Sequence, residues 1–180
     1  MNKLIMLAAV AAFGFGGTAS AQTVKVTPLG SHDGEFCAFD RAMVFEDPDG
    51  TRILYDAGRT VRGADDPRLG KIDGVLLSHV HGDHLGDRHG KGPNAGSCGK
   101  PDLSVKDAPT SNTVNIVVKT KAKFFVGGEM NSWFNHKVVA AGGDKSQVLL
   151  VRFGGVRKLG GVSIWSVPAV HSNGISPAFL

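Results

Sequence analysis

The sequence predicts a mixed α+β / α/β sandwich, and three observations lead there. Short strand-like runs come first, in hairpin spacing, and helical runs then alternate with further strands. Gly-rich turns separate these runs, as a layered fold with short connections requires. Hydrophobic residues make up 42% of the 180, enough to bury a core, and nothing in the composition matches disorder, collagen or a disulfide-dense miniprotein. The length suits one domain or part of one, and no internal repeat or linker divides it.

Taken in order, Thr23–Thr27 alternates and is β-branched, a strand ended by Pro28 and Gly30. Ala42–Glu46 and Arg52–Tyr55 are joined by Asp47-Pro48-Asp49-Gly50, turn-forming residues that make the pair a hairpin. Gly74–Ser78 is a continuous apolar run, the signature of a strand buried on both faces. Residues 85–112 are rich in Gly, Pro, Asn, Asp and Ser and read as one long loop, a length that tends to be functional. Thr113–Lys121 suits a helix or a strand, because its β-branched residues pull against its length. Lys123–Val126 is a strand closed by Gly127-Gly128, and Asn131–Ala141 a helix with Gly142-Gly143 past its end. Val148–Val151 and Gly161–Val167 are further strands. The glycines near 154–161 lack the strand–G-x-G-x-x-G–helix context of a nucleotide site and read as hairpin turns. No Ser or Cys stands in a nucleophile motif.

The first 21 residues are set apart. Lys3 precedes an apolar run from Leu4 to Phe15, and Ala19-Ser20-Ala21 completes the three-part layout of a secretory signal peptide. A membrane-spanning helix needs roughly 20 apolar residues, more than this run supplies. The expectation is therefore a signal peptide over 1–21, a mature chain from Gln22 through residue 180, and export to the periplasm or medium. No later run is long enough to span a membrane, so no membrane contact is expected after cleavage. The net charge of +4 comes without any run of five or six Lys/Arg, which argues against a nucleic-acid partner. Cys37 and Cys98, neither in a C-x-x-C, would meet an oxidising compartment and either pair or be buried.

Chemistry concentrates in His79-Val80-His81-Gly82-Asp83-His84, which offers four potential ligands in six residues just past the buried strand. Imidazole and carboxylate suit a borderline divalent ion such as zinc. Residues two apart in extended chain point to one side, so His79 and His81 face the same space. Gly82 allows a sharp turn, after which Asp83 and His84 can aim at a point a few ångströms off, so one loop can serve two neighbouring ions.

H-V-H-G-D-H after a buried strand, Asp56-Ala57-Gly58 ending the previous strand, and Val167-Pro168-Ala169-Val170-His171-Ser172-Asn173-Gly174 together resemble the metallo-β-lactamase superfamily. His84 beside Asp83 is unlike its antibiotic-hydrolysing branch. It is closer to the lactonase, glyoxalase II, ribonuclease Z and ascorbate-phosphate-lactonase-like branches, the last being the nearest. The resemblance implies a four-layer αββα sandwich, of which this chain supplies mainly the N-terminal half. It implies that His79, His81 and His171 hold a first zinc and that Asp83 and His84 begin a second site. Asp83 would also orient the nucleophile and accept its proton, and Asp56 would orient a ligand imidazole from the outer layer. Residues 172–180 hold no Asp or His, so the bridging Asp and last His of the family's second site are missing here. One or two zinc ions per chain are expected, with a truncation after the third histidine.

His32 and Asp33, after the first strand, are turn residues or part of a substrate rim, and His89 in the long loop is a possible rim or lid residue. His136, among Trp133, Phe134 and Val138, reads as structural. The function these readings imply is an exported zinc-dependent hydrolase, acting through a metal-activated hydroxide on a small ester, lactone, phosphoester or similar molecule. The alternatives are a non-catalytic zinc-binding periplasmic protein and a disulfide-stabilised interaction domain without metal. Substrate identity and oligomeric state stay open.

Overall fold

A computed structural model describes residues 22–30, 41–92 and 102–171. The expected signal segment, His32, Asp33, Cys37 and Cys98 lie outside the described residues. A six-stranded sheet organises the rest. Its strands are β1 (Lys25–Pro28), β2 (Met43–Glu46), β3 (Arg52–Tyr55), β4 (Gly74–Leu76), β7 (Lys123–Val126) and β8 (Val148–Leu150), adjacent in that order. The first three pair antiparallel, and β3, β4, β7 and β8 pair parallel.

Strand alternation sorts the side chains into two rows. Val44, Leu54, Val75, Phe124 and Val148 are register partners across five strands, and all five are buried. They meet α2 (Asn112–Thr120) and α3 (Met130–Ala140), where Phe124 packs edge-on against Phe134 with ring centroids 4.9 Å apart. Met43, Tyr55, Leu76, Phe125 and Leu149 form the next row and so point to the opposite face. There a hairpin of β9 (Val156–Leu159) and β10 (Val162–Trp165) approaches the sheet, with Leu159 so close to Gly74 that a methyl group at position 74 would sit 2.6 Å from it. The remainder of that face borders a cavity of about 660 Å³, walled by Tyr55, Leu76, Phe125, Trp133 and Trp165.

The ambiguous Thr113–Lys121 run is a helix. Ser111 caps it by accepting the Val114 N–H, and Val114 and Val117, one turn apart, are fully buried. The expected single loop over 85–112 is corrected, because β5 (Arg88–His89) and β6 (Val105–Lys106) pair there as a small antiparallel sheet. Two-residue strands carry too little periodicity to be read against Gly- and Pro-rich surroundings. The first strand starts at Lys25 instead of Thr23, and the run at 161–167 is strand only over Val162–Trp165. Among the described residues, no helix is long and apolar enough to cross a membrane.

Candidate metal centre

The site forms where the parallel strands β3 and β4 end, the edge at which open α/β sheets gather ligands. Both strands stop at the same level, since the Asp56 N–H donates to the Leu76 carbonyl at 2.9 Å. Asp56 then turns with φ of 45°, a left-handed conformation that Asp tolerates better than most residues, and its side chain is fully buried. Its carboxylate accepts the Ser78 N–H at 2.8 Å and the Ser78 hydroxyl at 2.7 Å.

From Ser78 the chain runs extended through His79 and His81 and then coils into α1 (Gly82–Leu85). This one turn is held from behind. Leu85 is buried, and its carbonyl accepts the Thr113 hydroxyl at 2.7 Å. Gly86 ends the turn at φ 71°, where an added Cβ would lie 2.5 Å from the Gly58 carbonyl oxygen, so no side chain fits. The Asn112 N–H closes the bracket by donating to the Gly86 carbonyl at 2.8 Å. Helix α2 thus fixes the turn that carries Asp83 and His84.

His171 arrives from the extended segment after β10 and completes a triangle of imidazoles. Ring centroids of His79, His81 and His171 are 4.5, 4.6 and 4.7 Å apart, and one ligand atom from each lies within 4.8 Å of the others. The His84 ring lies tilted against His79 with centroids 4.0 Å apart, and its Nε2 is 3.6 Å from an Asp83 oxygen. Among the described residues, His79 Nε2 is one of few buried side-chain nitrogens without a hydrogen-bond partner. A buried orphan nitrogen facing two more imidazoles fits a divalent ion, and three nitrogens are the number that catalytic zinc sites use.

The electrostatics suit the same purpose. Burial and then the neighbouring His84, His81 and His171 hold the His79 pKa down at about 4, so the ring is neutral and ready to ligate at pH 7. Burial pushes Asp83 upward, but His84, its own backbone N–H, Arg59 and Arg41 outweigh that and leave its carboxyl below the ordinary value. Arg41 approaches the Asp83 carboxylate at 3.6 Å.

The sequence model of the metallo-β-lactamase superfamily matches residues 41–88, the stretch that carries Asp56 and the His79–His84 loop. Over 142 residues the chain is 28% identical to a metal-dependent hydrolase of Anaeromyxobacter dehalogenans (strain 2CP-C). The chain is similar to the metallo-β-lactamase superfamily over residues 41–88. The alignment to that hydrolase takes in 75% of this chain but only 41% of the relative, so the chain spans about two fifths of that relative's length. That relative is named for its metal dependence, and in this chain the His79, His81 and His171 cluster is a group that could hold a metal ion.

Of the expected site residues, the structure brings together His79, His81, His84, Asp83, Asp56 and His171. His89 is held by partners of its own. It is buried in the β5–β6 sheet, its Nδ1 donates to the Gly90 carbonyl at 2.8 Å, and its Nε2 faces Asp107 at 3.4 Å. His136 is exposed on α3 and so is not part of the core that its apolar neighbours suggested. Ser78, which the sequence reading passed over, sits at the centre of the polar network. Its position directly before the first histidine is the signal that could have found it.

His89 supplies a pH test. Burial alone would lower its pKa, but the adjacent Asp107 carboxylate, the Gly90 carbonyl and the Asp65 charge together raise it. A histidine with a raised folded pKa stabilises the fold fully below the unfolded value of about 6.5 and loses that contribution as pH rises through the folded value. The thermal midpoint of wild type should therefore exceed that of a His89→Gln variant most at pH 6, with the gap narrowing towards pH 9. A gap that widens with pH would contradict the pairing.

Proposed function

We propose that this chain forms the N-terminal part, from Gln22 onward, of an exported zinc-dependent hydrolase acting on a small-molecule ester, lactone, phosphoester or related substrate. The observation that carries the proposal is the triangle of His79, His81 and His171 around the partnerless His79 Nε2. A zinc ion held there supplies Lewis acidity and brings the pKa of a water towards about 7. The chain's own residues supply the rest. His79, His81 and His171 would hold and orient the ion through their imidazole nitrogens. Asp83, a carboxylate at neutral pH on the rigid turn of α1, accepts a proton from the attacking water and keeps that water aimed at the reacting carbonyl or phosphoryl centre. Asp83 and His84 form the beginning of a second position.

The four-layer αββα arrangement is part of the same proposal. Two layers are described here, helices and one sheet, and the sheet's second face is apolar and incompletely covered. Phe153 and Trp165 are both 66% exposed beside it, a surface that an opposing sheet would bury. Export rests on the tripartite pattern of the first 21 residues.

Elemental analysis of the dialysed 180-residue chain should find about one tightly held zinc per chain, and turnover of an ester, lactone and phosphoester panel should follow in the longer protein. Absence of zinc from both would remove the hydrolase reading. Zinc without turnover of any substrate would leave a binding protein.

A further inference from the structure

We propose that Ser78 is a positioning residue through which the single buried carboxylate of Asp56 sets the tautomer of an imidazole in each of the two candidate metal positions. The argument is one of proton counting. Asp56, as a carboxylate, can only accept, and its Oδ2 lies 2.7 Å from Ser78 Oγ and 2.6 Å from His84 Nδ1. Both neighbours must therefore donate. The Ser78 hydroxyl proton is spent on Asp56, and His84 carries its proton on Nδ1. Ser78 Oγ keeps two lone pairs, and His79 Nδ1 stands 2.9 Å away from it. If that nitrogen were bare, two lone pairs would face each other across a hydrogen-bond distance. His79 is thus protonated on Nδ1 as well, and the other lone pair faces His84 Nδ1 at 3.2 Å, whose proton points to the nearer Asp56 oxygen at 2.6 Å.

The consequence falls on the far nitrogens. With both Nδ1 atoms protonated, both Nε2 atoms present lone pairs. On His79 that atom is the buried, partnerless nitrogen of the imidazole triangle, and on His84 it lies 3.6 Å from Asp83. His84 takes its instruction from Asp56 directly, whereas His79 takes it through the serine. Alanine at position 78 would cut the His79 branch and remove the longer 3.2 Å contact of the hydroxyl with His84 Nδ1, while the 2.6 Å bond of His84 Nδ1 to Asp56 and the Ser78 N–H to Asp56 bond would survive the change.

Two readouts test this, and only the second rests on the metal-centre reading. In the metal-free protein labelled with ¹⁵N-histidine, long-range N–H correlation spectra report the tautomer of each ring. Wild type should show Nδ1–H at both His79 and His84. Ser78→Ala should turn His79 into a mixture in which Nε2–H is substantial while His84 is unchanged, and Ser78→Thr, which restores the hydroxyl, should restore the wild-type pattern. In competition with a chromophoric chelator, Ser78→Ala should bind zinc roughly tenfold to a hundredfold more weakly, the usual loss for an outer-layer partner, with Ser78→Thr recovering most of it. His79 found as Nε2–H in wild type, or unchanged in Ser78→Ala, would overturn the proposal. The wild-type spectrum decides even if the alanine variant does not fold. A wild type that takes up no zinc yet shows both rings as Nδ1–H would refute the metal centre and uphold the relay.

Discussion

His79→Ala is expected to abolish tight metal binding, whereas His84→Ala leaves it largely intact. His79 is the hinge of the cluster, 4.5 Å from His81 and 4.6 Å from His171, and its Nε2 is buried without another partner. Structural zinc sites bind with about 10–16 kcal/mol over four ligands, so each ligand is worth on the order of 2.5–4 kcal/mol, or roughly a fiftyfold to a thousandfold in affinity. His84 is tied instead to Asp56 and faces Asp83, outside the triangle. Titration calorimetry with zinc separates the two variants, and a His79→Ala chain that still holds one tight zinc would show the triangle is not the site.

The second large effect is expected at Asp56. This fully buried carboxylate accepts the Ser78 N–H, the Ser78 hydroxyl and His84 Nδ1. Truncation to alanine strands those donors and leaves an alanine at φ 45°, which together should cost about 3–5 kcal/mol. For a chain of this size that corresponds to a fall of roughly 6–20 °C in thermal midpoint. Asp56→Asn keeps the shape and the tolerance of positive φ but replaces one acceptor oxygen with a donor. It should lose less stability than the alanine variant and still weaken zinc binding. Scanning calorimetry of both variants checks the order, and an alanine variant as stable as wild type would show that the carboxylate is not an anchor.

The metal motif was legible because its information is local. Four ligand-type side chains in six residues need only one strand end and one turn to converge, and both were readable. His171 was reached only through family resemblance, since neither spacing nor periodicity says that the segment after β10 returns to the end of β4. The helix over Asn112–Thr120 was undecided because Val114, Ile116, Val117 and Val118 favour a strand by rotamer entropy, while tertiary burial and the Ser111 cap favour the helix. The small β5–β6 sheet was hidden inside a Gly- and Pro-rich stretch, and that concealment made His89 look like a loop residue. Ser78 escaped notice for a different reason. A serine has no distinctive pattern, and its role exists only once parallel pairing of β3 with β4 sets it against Asp56.

The triangle of imidazoles joins residues of very different standing. His79 and His81 belong to a loop clamped between the sheet and α2, but His171 lies in an extended stretch after β10 in which Val167 and Val170 are 75% and 107% exposed. That stretch is fastened by backbone pairing of Ser166 with Gly154 and Gly155. Any ion there is therefore a clasp across roughly ninety residues of chain, and closing a loop of that length costs about 4 kcal/mol of chain entropy. Ion exchange then follows the fraying of one strand end, a local opening far cheaper than unfolding the sheet. On this view, capture is the task of the rigid loop, and retention time is governed by the stretch after β10.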